Sequence, residues 1–197
     1  MKGRWCGIES IYKVRNPLPY RHPTLDSEIR RQRTIREAEM MKAARRAGVP
    51  SPHLYFLDNS NSTLVMEFVE GNRMKDLVLA HPEDAPALFE ELGAAVAKLH
   101  SSGIMHGDLT TANLIKRRDG LVFIDFGLSV STVRVEDHAV DLRLIKETIV
   151  GAHAEVSKGA IPSLMEGYRR VVGGGRARAV FRQLESIEMR GRYATVE

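Results

Sequence analysis

The run His106-Gly107-Asp108-Leu109-Thr110-Thr111-Ala112-Asn113 is followed by two short apolar segments and then by Asp125-Phe126-Gly127. The apolar segments, Leu114-Ile115 and Leu121–Ile124, flank Arg117-Arg118-Asp119-Gly120, and an Asp-Gly between two such runs predicts a β-hairpin. The hairpin therefore carries an Asp and an Asn ahead of its first arm and a second Asp at the end of its other arm. Ahead of it, Leu88, Leu92, Val96 and Leu99 repeat at helical spacing and stop near Gly103. A helix, an exposed polar loop and a hairpin ending in a carboxylate leave few folds open. Hard oxygen donors of this kind suit Mg²⁺, and a lone Asp in the loop suits a hydroxyl proton, which together make up phosphoryl transfer.

H-x-D-(x)4-N with I-D-F-G at this distance is the catalytic and metal-binding pattern of kinases. Asp108 is then the proton acceptor, and Asn113 and Asp125 are the Mg²⁺ ligands. His106 is expected to brace the backbone near Asp125, and Asp141 to accept bonds from the catalytic-loop backbone out of a buried helix. What comes next departs from the usual layout. Only 13 residues separate Gly127 from Asp141 and no A-P-E occurs, so the platform that grips a peptide substrate is missing.

The first part of the chain reads as a small lobe. Ile8–Arg15 is rich in β-branched residues and predicts a strand carrying Lys13. Pro17, Pro19 and Pro23 force an irregular segment, after which Asp26 and Ser27 offer caps for a helix reaching about Ala47 and carrying Glu37. A lysine on a strand paired with a glutamate on the next helix would hold the ATP phosphates. Leu54–Leu57 and Leu64–Val69 predict a second hairpin, and Glu67-Phe68-Val69 ahead of Gly71 reads as a hinge whose backbone meets adenine. Only Gly3 and Gly7 precede Lys13, too few residues for the usual glycine-rich lid. That leaves two readings, an abbreviated lid or a start farther upstream.

From about Asp137 onward the pattern is helical, with breaks predicted at Gly159–Pro162 and at Gly173-Gly174-Gly175. The expected fold is α+β: a minimal bilobal protein-kinase-like domain over 1–197, with a β-rich N-lobe holding one long helix (about 1–69). A hinge at about 67–71 leads to a reduced helical C-lobe (about 72–197). With 43% hydrophobic and 27% charged residues in 197, such a core can be filled. The single cysteine, Cys6, rules out an internal disulfide framework and fits a reducing compartment. No apolar run reaches the roughly 18 residues of a membrane span, so a cytoplasmic protein with no membrane partner is expected.

The net charge of +4 is unevenly placed: from Arg169 to Arg192 seven arginines face two acids, Glu185 and Glu188. A second cluster is Arg30, Arg31, Arg33 and Arg36. Basic clusters suit either a polyanion such as RNA or a solvated helix face.

Motifs along the chain resemble those of the small atypical kinase of the KEOPS (EKC) complex. Lys13-Val14-Arg15, then Tyr20-Arg21-His22-Pro23 with Leu25-Asp26, is similar to K-x-R…Y-R-x-P-x-L-D. Arg33-Thr34 with Glu37-Ala38 is similar to R-T-x-x-E-A. His106–Asn113 is similar to H-G-D-L-T-T-S-N, with Ala112 for the usual Ser. Asp125–Ser129, Glu136-Asp137 and Val140-Asp141-Leu142 resemble D-F-G-L-S…E-D-x-x-V-D-L, and Arg190-Gly191-Arg192 resembles an R-G-R tail. Gly7-Ile8-Glu9-Ser10 is the nearest counterpart of the family's G-A-E-A, and Leu18 replaces a common lysine.

The resemblance implies an ATP- and Mg²⁺-dependent serine/threonine kinase or ATPase that binds the complex's tRNA-modifying catalytic subunit. It further implies support of threonylcarbamoyladenosine (t6A) formation at position 37 of tRNA. In those terms Asp108 is catalytic; Lys13, Glu37, Glu67, Phe68 and Val69 bind ATP; Asn113 and Asp125 bind metal; and Arg190 and Arg192 reach tRNA or a partner. A small-molecule phosphotransferase of the aminoglycoside or choline type shares H-G-D with Asn five residues on, and a non-catalytic scaffold would retain the fold. Both remain open from the sequence.

Overall fold

The computed structural model describes the backbone of residues 1–193 and the side chains of residues 1–190. Four antiparallel strands open the chain around one helix: β1 (Lys2–Trp5), β2 (Ile8–Val14), α1 (Pro23–Arg46), β3 (Leu54–Asp58) and β4 (Thr63–Glu67), in sheet order β1-β2-β4-β3. β1 and β2 form a hairpin, with Trp5 opposite Ile8 across a two-residue turn. Cys6 (φ 48°) and Gly7 (φ 82°) both adopt the left-handed region that a tight turn of this hand requires. A short hairpin therefore precedes Lys13, as the reading of an abbreviated lid allowed, although its first strand is not among the elements the sequence predicted. Gly7 makes the turn, while Ile8–Ser10 enters β2.

Helix α1 begins a turn earlier than the caps at Asp26 and Ser27 suggested. Pro23 sits at its start, where its missing N–H costs nothing. Asp26 is instead buried in the first turn, accepting from Arg30 Nε at 2.7 Å. The inner face of α1 buries Ala38, Met41 and Ala44.

Past β4 come β5 (Asn72–Arg73), α2 (Met74–Ala80), α3 (Ala85–Ser101), β6 (Ile104–Met105), β7 (Leu114–Arg117), β8 (Gly120–Phe123) and β9 (Val130–Ser131). Helices α4 (Val135–Ala152) and α5 (Ser157–Tyr193) complete the described residues. β7 and β8 form the predicted hairpin, Leu114 opposite Phe123. α3 and α5 cross at very close range. A Cβ on Gly93 would lie 2.0 Å from the Leu164 carbonyl oxygen, and one on Gly167 would lie 2.0 Å from that of Glu90. Glycine at both positions is what lets the two backbones touch.

The break expected at Gly159–Pro162 falls earlier, at His153 (φ −137°, ψ 39°), whose Nε2 lies 2.9 Å from Thr111 Oγ1. Pro162 lies within α5. The carbonyl it leaves without a donor belongs to exposed Lys158, where water can serve it. Gly173 (φ 81°, ψ 159°) does break the helix direction, as its triplet predicted. One cluster of buried apolar side chains runs from Met41 and Leu64 through Phe126 to Leu92, Leu142 and Tyr168, so sheet and helices share a core. Among the described residues no helix is long and apolar enough to cross a membrane.

Candidate active site

A cleft of about 710 Å³ lies between the N-terminal sheet and the β7–β8 hairpin. Its walls include Ile11, Lys13, Glu37, Met66, Glu67, Phe68, Val69, Ile115, Ile124 and Asp125. Period-two geometry puts Ile11 and Lys13 on the same face of β2, so an apolar side chain and an ammonium enter the cleft together. Ile115 and Ile124 project from the hairpin opposite. Two apolar walls with a cation at one end suit a flat heterocycle bearing an anionic tail.

Lys13 is the hub. Its Nζ donates to Glu37 Oε1 at 2.8 Å and to Asp125 Oδ1 at 2.6 Å, joining strand, helix and hairpin. Glu37 is 1% exposed and also takes the Arg15 guanidinium, so a fully buried carboxylate is balanced by two cations. Arg15 is held in turn by donating to Thr34 Oγ1 at 3.2 Å. Burial pushes the Asp125 carboxyl up, but the hydrogen bond and charge of Lys13 outweigh it, and its pKa is held below the ordinary aspartate value. Asp125 has φ 63°, unusual for a residue with a side chain, and Gly127 N–H returns to its Oδ1 at 3.2 Å. A Cβ on Gly127 would sit 3.0 Å from that oxygen and 3.4 Å from Arg15 Nη2, so a side chain there would crowd the Asp125 carboxylate and the Arg15 guanidinium. Phe126 is buried beneath, its ring 5.0 Å from that of His106.

Asp108 and Asn113 form a second pair beside the cleft, outside its wall. Asn113 Nδ2 donates to both the carbonyl and Oδ2 of Asp108, each at 2.9 Å. With its nitrogen committed, Asn113 has its oxygen left to offer a cation. Its backbone carbonyl accepts from Ile124 N–H at 3.0 Å, which sets this pair one residue from Asp125 across the hairpin. An amide oxygen and the free Asp125 Oδ2 are the hard donors that Mg²⁺ accepts, so the side chains present fit that ion.

The catalytic-loop backbone is clamped from below. Asp141, wholly buried on α4, accepts His106 N–H at 2.6 Å and Gly107 N–H at 2.8 Å, and His100 Nε2 lies 3.2 Å from its Oδ2. Burial would raise the Asp141 pKa, but the His100 bond and the backbone donors hold it below the normal value. His106 donates from Nε2 to the Ile124 carbonyl at 3.2 Å, and its Nδ1 faces Asp108 N–H at 3.3 Å. Its carbonyl accepts from Ser129 Oγ at 2.7 Å. With both ring nitrogens used and burial lowering its pKa, His106 is a neutral brace and has no role as a base. Gly107 has φ 80°, and a Cβ there would lie 2.4 Å from the Leu128 carbonyl oxygen.

Glu67 lines the cleft, but not as a free carboxylate. Its carboxylate is turned away, accepting His53 N–H at 3.0 Å and pairing with Arg117 at 3.2 Å. Phe68 is covered by Lys2, whose Nζ stands 3.8 Å from the ring centroid. Arg190 donates to Ser186 from the exposed face of α5, and Arg192 lies outside the described side chains. The basic cluster is smaller than it reads in the sequence. Arg169 pairs with Glu166, Arg170 pairs with Glu90, and Arg176 is turned inward onto His138. Sequence reasoning gave no role to Arg15, Ile11, Ile115 or Ser129. The alternation along β2 could have found Ile11, because it lies two residues before Lys13.

Residues 16–146 match the RIO domain family. The chain is 37% identical over 187 residues to the KEOPS complex subunit Bud32 of Pyrococcus abyssi, covering 94% of this chain and 85% of that protein. It is 36% identical over 192 residues to a probable bifunctional tRNA threonylcarbamoyladenosine biosynthesis protein of Methanothermobacter thermautotrophicus. That alignment covers 98% of this chain, which spans 34% of the bifunctional protein. Among solved structures, the Rio2 kinase–ADP/Mg²⁺–phosphoaspartate complex from Chaetomium thermophilum superposes with TM-score 0.61 at 18% identity, covering 95% of this chain and 66% of that one. Fold and site together define an atypical kinase of the RIO type. Within that class the chain belongs to the Bud32 family of KEOPS subunits.

Proposed function

We propose that this chain is the ATP- and Mg²⁺-dependent kinase/ATPase subunit of a KEOPS assembly, supporting t6A formation at position 37 of tRNA. The observation that carries the reading is the Lys13 ammonium bridging Glu37 and Asp125 on the wall of the 710 Å³ cleft. In this reading adenine lies between Ile11 and Ile115, against the backbone of Glu67–Val69. Lys13 neutralises the phosphates, held in place by Glu37. Asn113 and Asp125 hold Mg²⁺, which when bound neutralises charge on the transferring phosphoryl group. Asp108, oriented by the Asn113 amide, accepts the proton of the attacking hydroxyl or water. The clamp under His106 and Gly107 keeps Asp108 in that position.

The partners are the tRNA-modifying catalytic subunit and the other KEOPS subunits, in the cytoplasm, with exposed Arg190, and Arg192 beside it in the sequence, as the candidate tRNA contacts. The bifunctional relatives carry an equivalent of this chain within a protein about three times its length, consistent with a permanent neighbour. The test is co-purification with the candidate tRNA-modifying subunit, followed by ATP hydrolysis and phosphotransfer assays with and without it. Stable association and partner-stimulated, Mg²⁺-dependent hydrolysis are expected. Failure to associate, with turnover indifferent to the partner, would overturn the assignment.

A further inference from the structure

Behind the Asp141 clamp lies a chain of buried polar side chains that the proposed chemistry leaves unused. Tyr168 of α5, wholly buried, has its hydroxyl 3.0 Å from His100 Nδ1, while His100 Nε2 faces Asp141. The His138 ring stacks on that of His100 at 4.1 Å and 10°. His138 is held edge-on, with Nε2 3.2 Å from the Thr132 carbonyl and Nδ1 3.1 Å from Arg176 Nη2. Arg176 also donates to the Val133 carbonyl at 2.7 Å. Arg176 can only donate to His138 Nδ1 and the Thr132 carbonyl can only accept from His138 Nε2–H, while His100 donates Nε2–H to Asp141 and shares a hydrogen bond with the Tyr168 hydroxyl through Nδ1. The His138 ring is then neutral, and burial lowers its pKa to about 4, consistent with that arrangement.

An apolar core would cost less than four buried polar groups with a half-buried guanidinium at their edge, so their presence calls for a use. Their direction supplies one. Tyr168 lies before the Gly173 break of α5 and Arg176 after it, so both segments of the last helix are wired to one carboxylate. That carboxylate holds the backbone of the two residues preceding Asp108.

We infer that Tyr168 and Arg176 are positioning residues: through His100, His138 and Asp141 they set the catalytic loop, so that the seating of α5 governs turnover. A partner engaging α5 beyond Gly173 can then tune the site without touching it. The kinetic consequence rests on the reading of Asp108 as proton acceptor, whereas the structural consequence does not.

The experiment uses the full chain and two variants, Tyr168→Phe, which removes one hydroxyl, and Arg176→Met, which removes the donors at a half-buried site. Two quantities are read, Mg²⁺-dependent ATP turnover and hydrogen exchange of the His106 and Gly107 amides. Each variant is expected to lose kcat about fivefold, the worth of one hydrogen bond, with KM for ATP within about twofold. Gly107 exchange should accelerate by a similar factor while the thermal midpoint hardly moves. Arg176→Lys should recover part of the loss, and in an Asp141→Asn background Tyr168→Phe should add nothing further. Faster exchange without measurable turnover in any protein would uphold the wiring and defeat the proposed function. Unchanged Gly107 exchange in both variants, or effects that persist undiminished in the Asp141→Asn background, would overturn the inference.

Discussion

Replacing Asp141 by alanine removes a fully buried carboxylate and strands three donors at once. His106 N–H, Gly107 N–H and His100 Nε2–H lie 2.6, 2.8 and 3.2 Å from its oxygens. A buried donor left without a partner costs about 1–3 kcal/mol, so three cost roughly 3–9 kcal/mol. Against this, the fold no longer has to desolvate an ionised carboxylate, an offset of several kcal/mol. The net expectation is a loss of about 3–5 kcal/mol, a large part of a stability near 5–15 kcal/mol. Urea unfolding followed by circular dichroism should show a lower midpoint at unchanged slope. Asp141→Asn retains one acceptor oxygen and should lose roughly half as much. A loss below about 1 kcal/mol for alanine would mean that water or a rearranged backbone serves those donors, and the clamp argument would fail.

Stability should also depend on pH through His138, whose pKa in the fold is about 4 against 6.5 for an ordinary histidine. Between those values the unfolded chain binds a proton that the folded chain does not, so stability falls as pH drops from about 6.5 to 4. It is level above that window, and a pH series of urea midpoints on wild type and His138→Gln should show the slope weakening in the variant. Gly93→Ala drives a Cβ to 2.0 Å from the Leu164 carbonyl oxygen, where both partners are backbone. It should cost at least about 1–3 kcal/mol by forcing α3 and α5 apart, readable as a lowered thermal midpoint. Lys13→Met leaves Glu37 with Arg15 alone and Asp125 without its cation. ATP turnover should fall about a hundredfold with the fold intact by circular dichroism, and unchanged turnover would remove Lys13 from the site.

Much of this layout is legible in the chain, for physical reasons that differ by element. The β7–β8 hairpin declares itself because Asp119-Gly120 sits between two apolar runs, and Gly120 does take a φ of 134°. α3 announces its buried face by Leu88, Leu92, Val96 and Leu99, all buried. The start of α1 was misplaced because Asp26 carries cap chemistry, yet local ion pairs with Arg30, one turn on, and Arg21, just ahead of the helix, hold it inside the first turn. The β1–β2 hairpin was missed because its turn uses Cys6, which no turn rule flags, ahead of Gly7. Asp141 and His106 could be read as braces from their spacing to the motif. Tyr168, His138 and Arg176 could not, because the contacts that join them span 30 or more residues and follow from helix packing alone. The arginine cluster was overcounted because Arg170 and Arg176 find partners on other helices, which leaves no mark on composition, and because Glu166, one turn before Arg169, lies just outside the stretch counted.

The central claim is that Asp108 and the residues around Lys13 run one phosphoryl-transfer site. The most direct measurement is Mg²⁺-dependent phosphate release from ATP by wild type and Asp108→Ala, each with the tRNA-modifying subunit present. Loss of a positioned proton acceptor predicts a fall in kcat of at least about a hundredfold, with nucleotide affinity preserved because the Lys13 cluster is untouched. Equal rates for the two proteins would contradict the account.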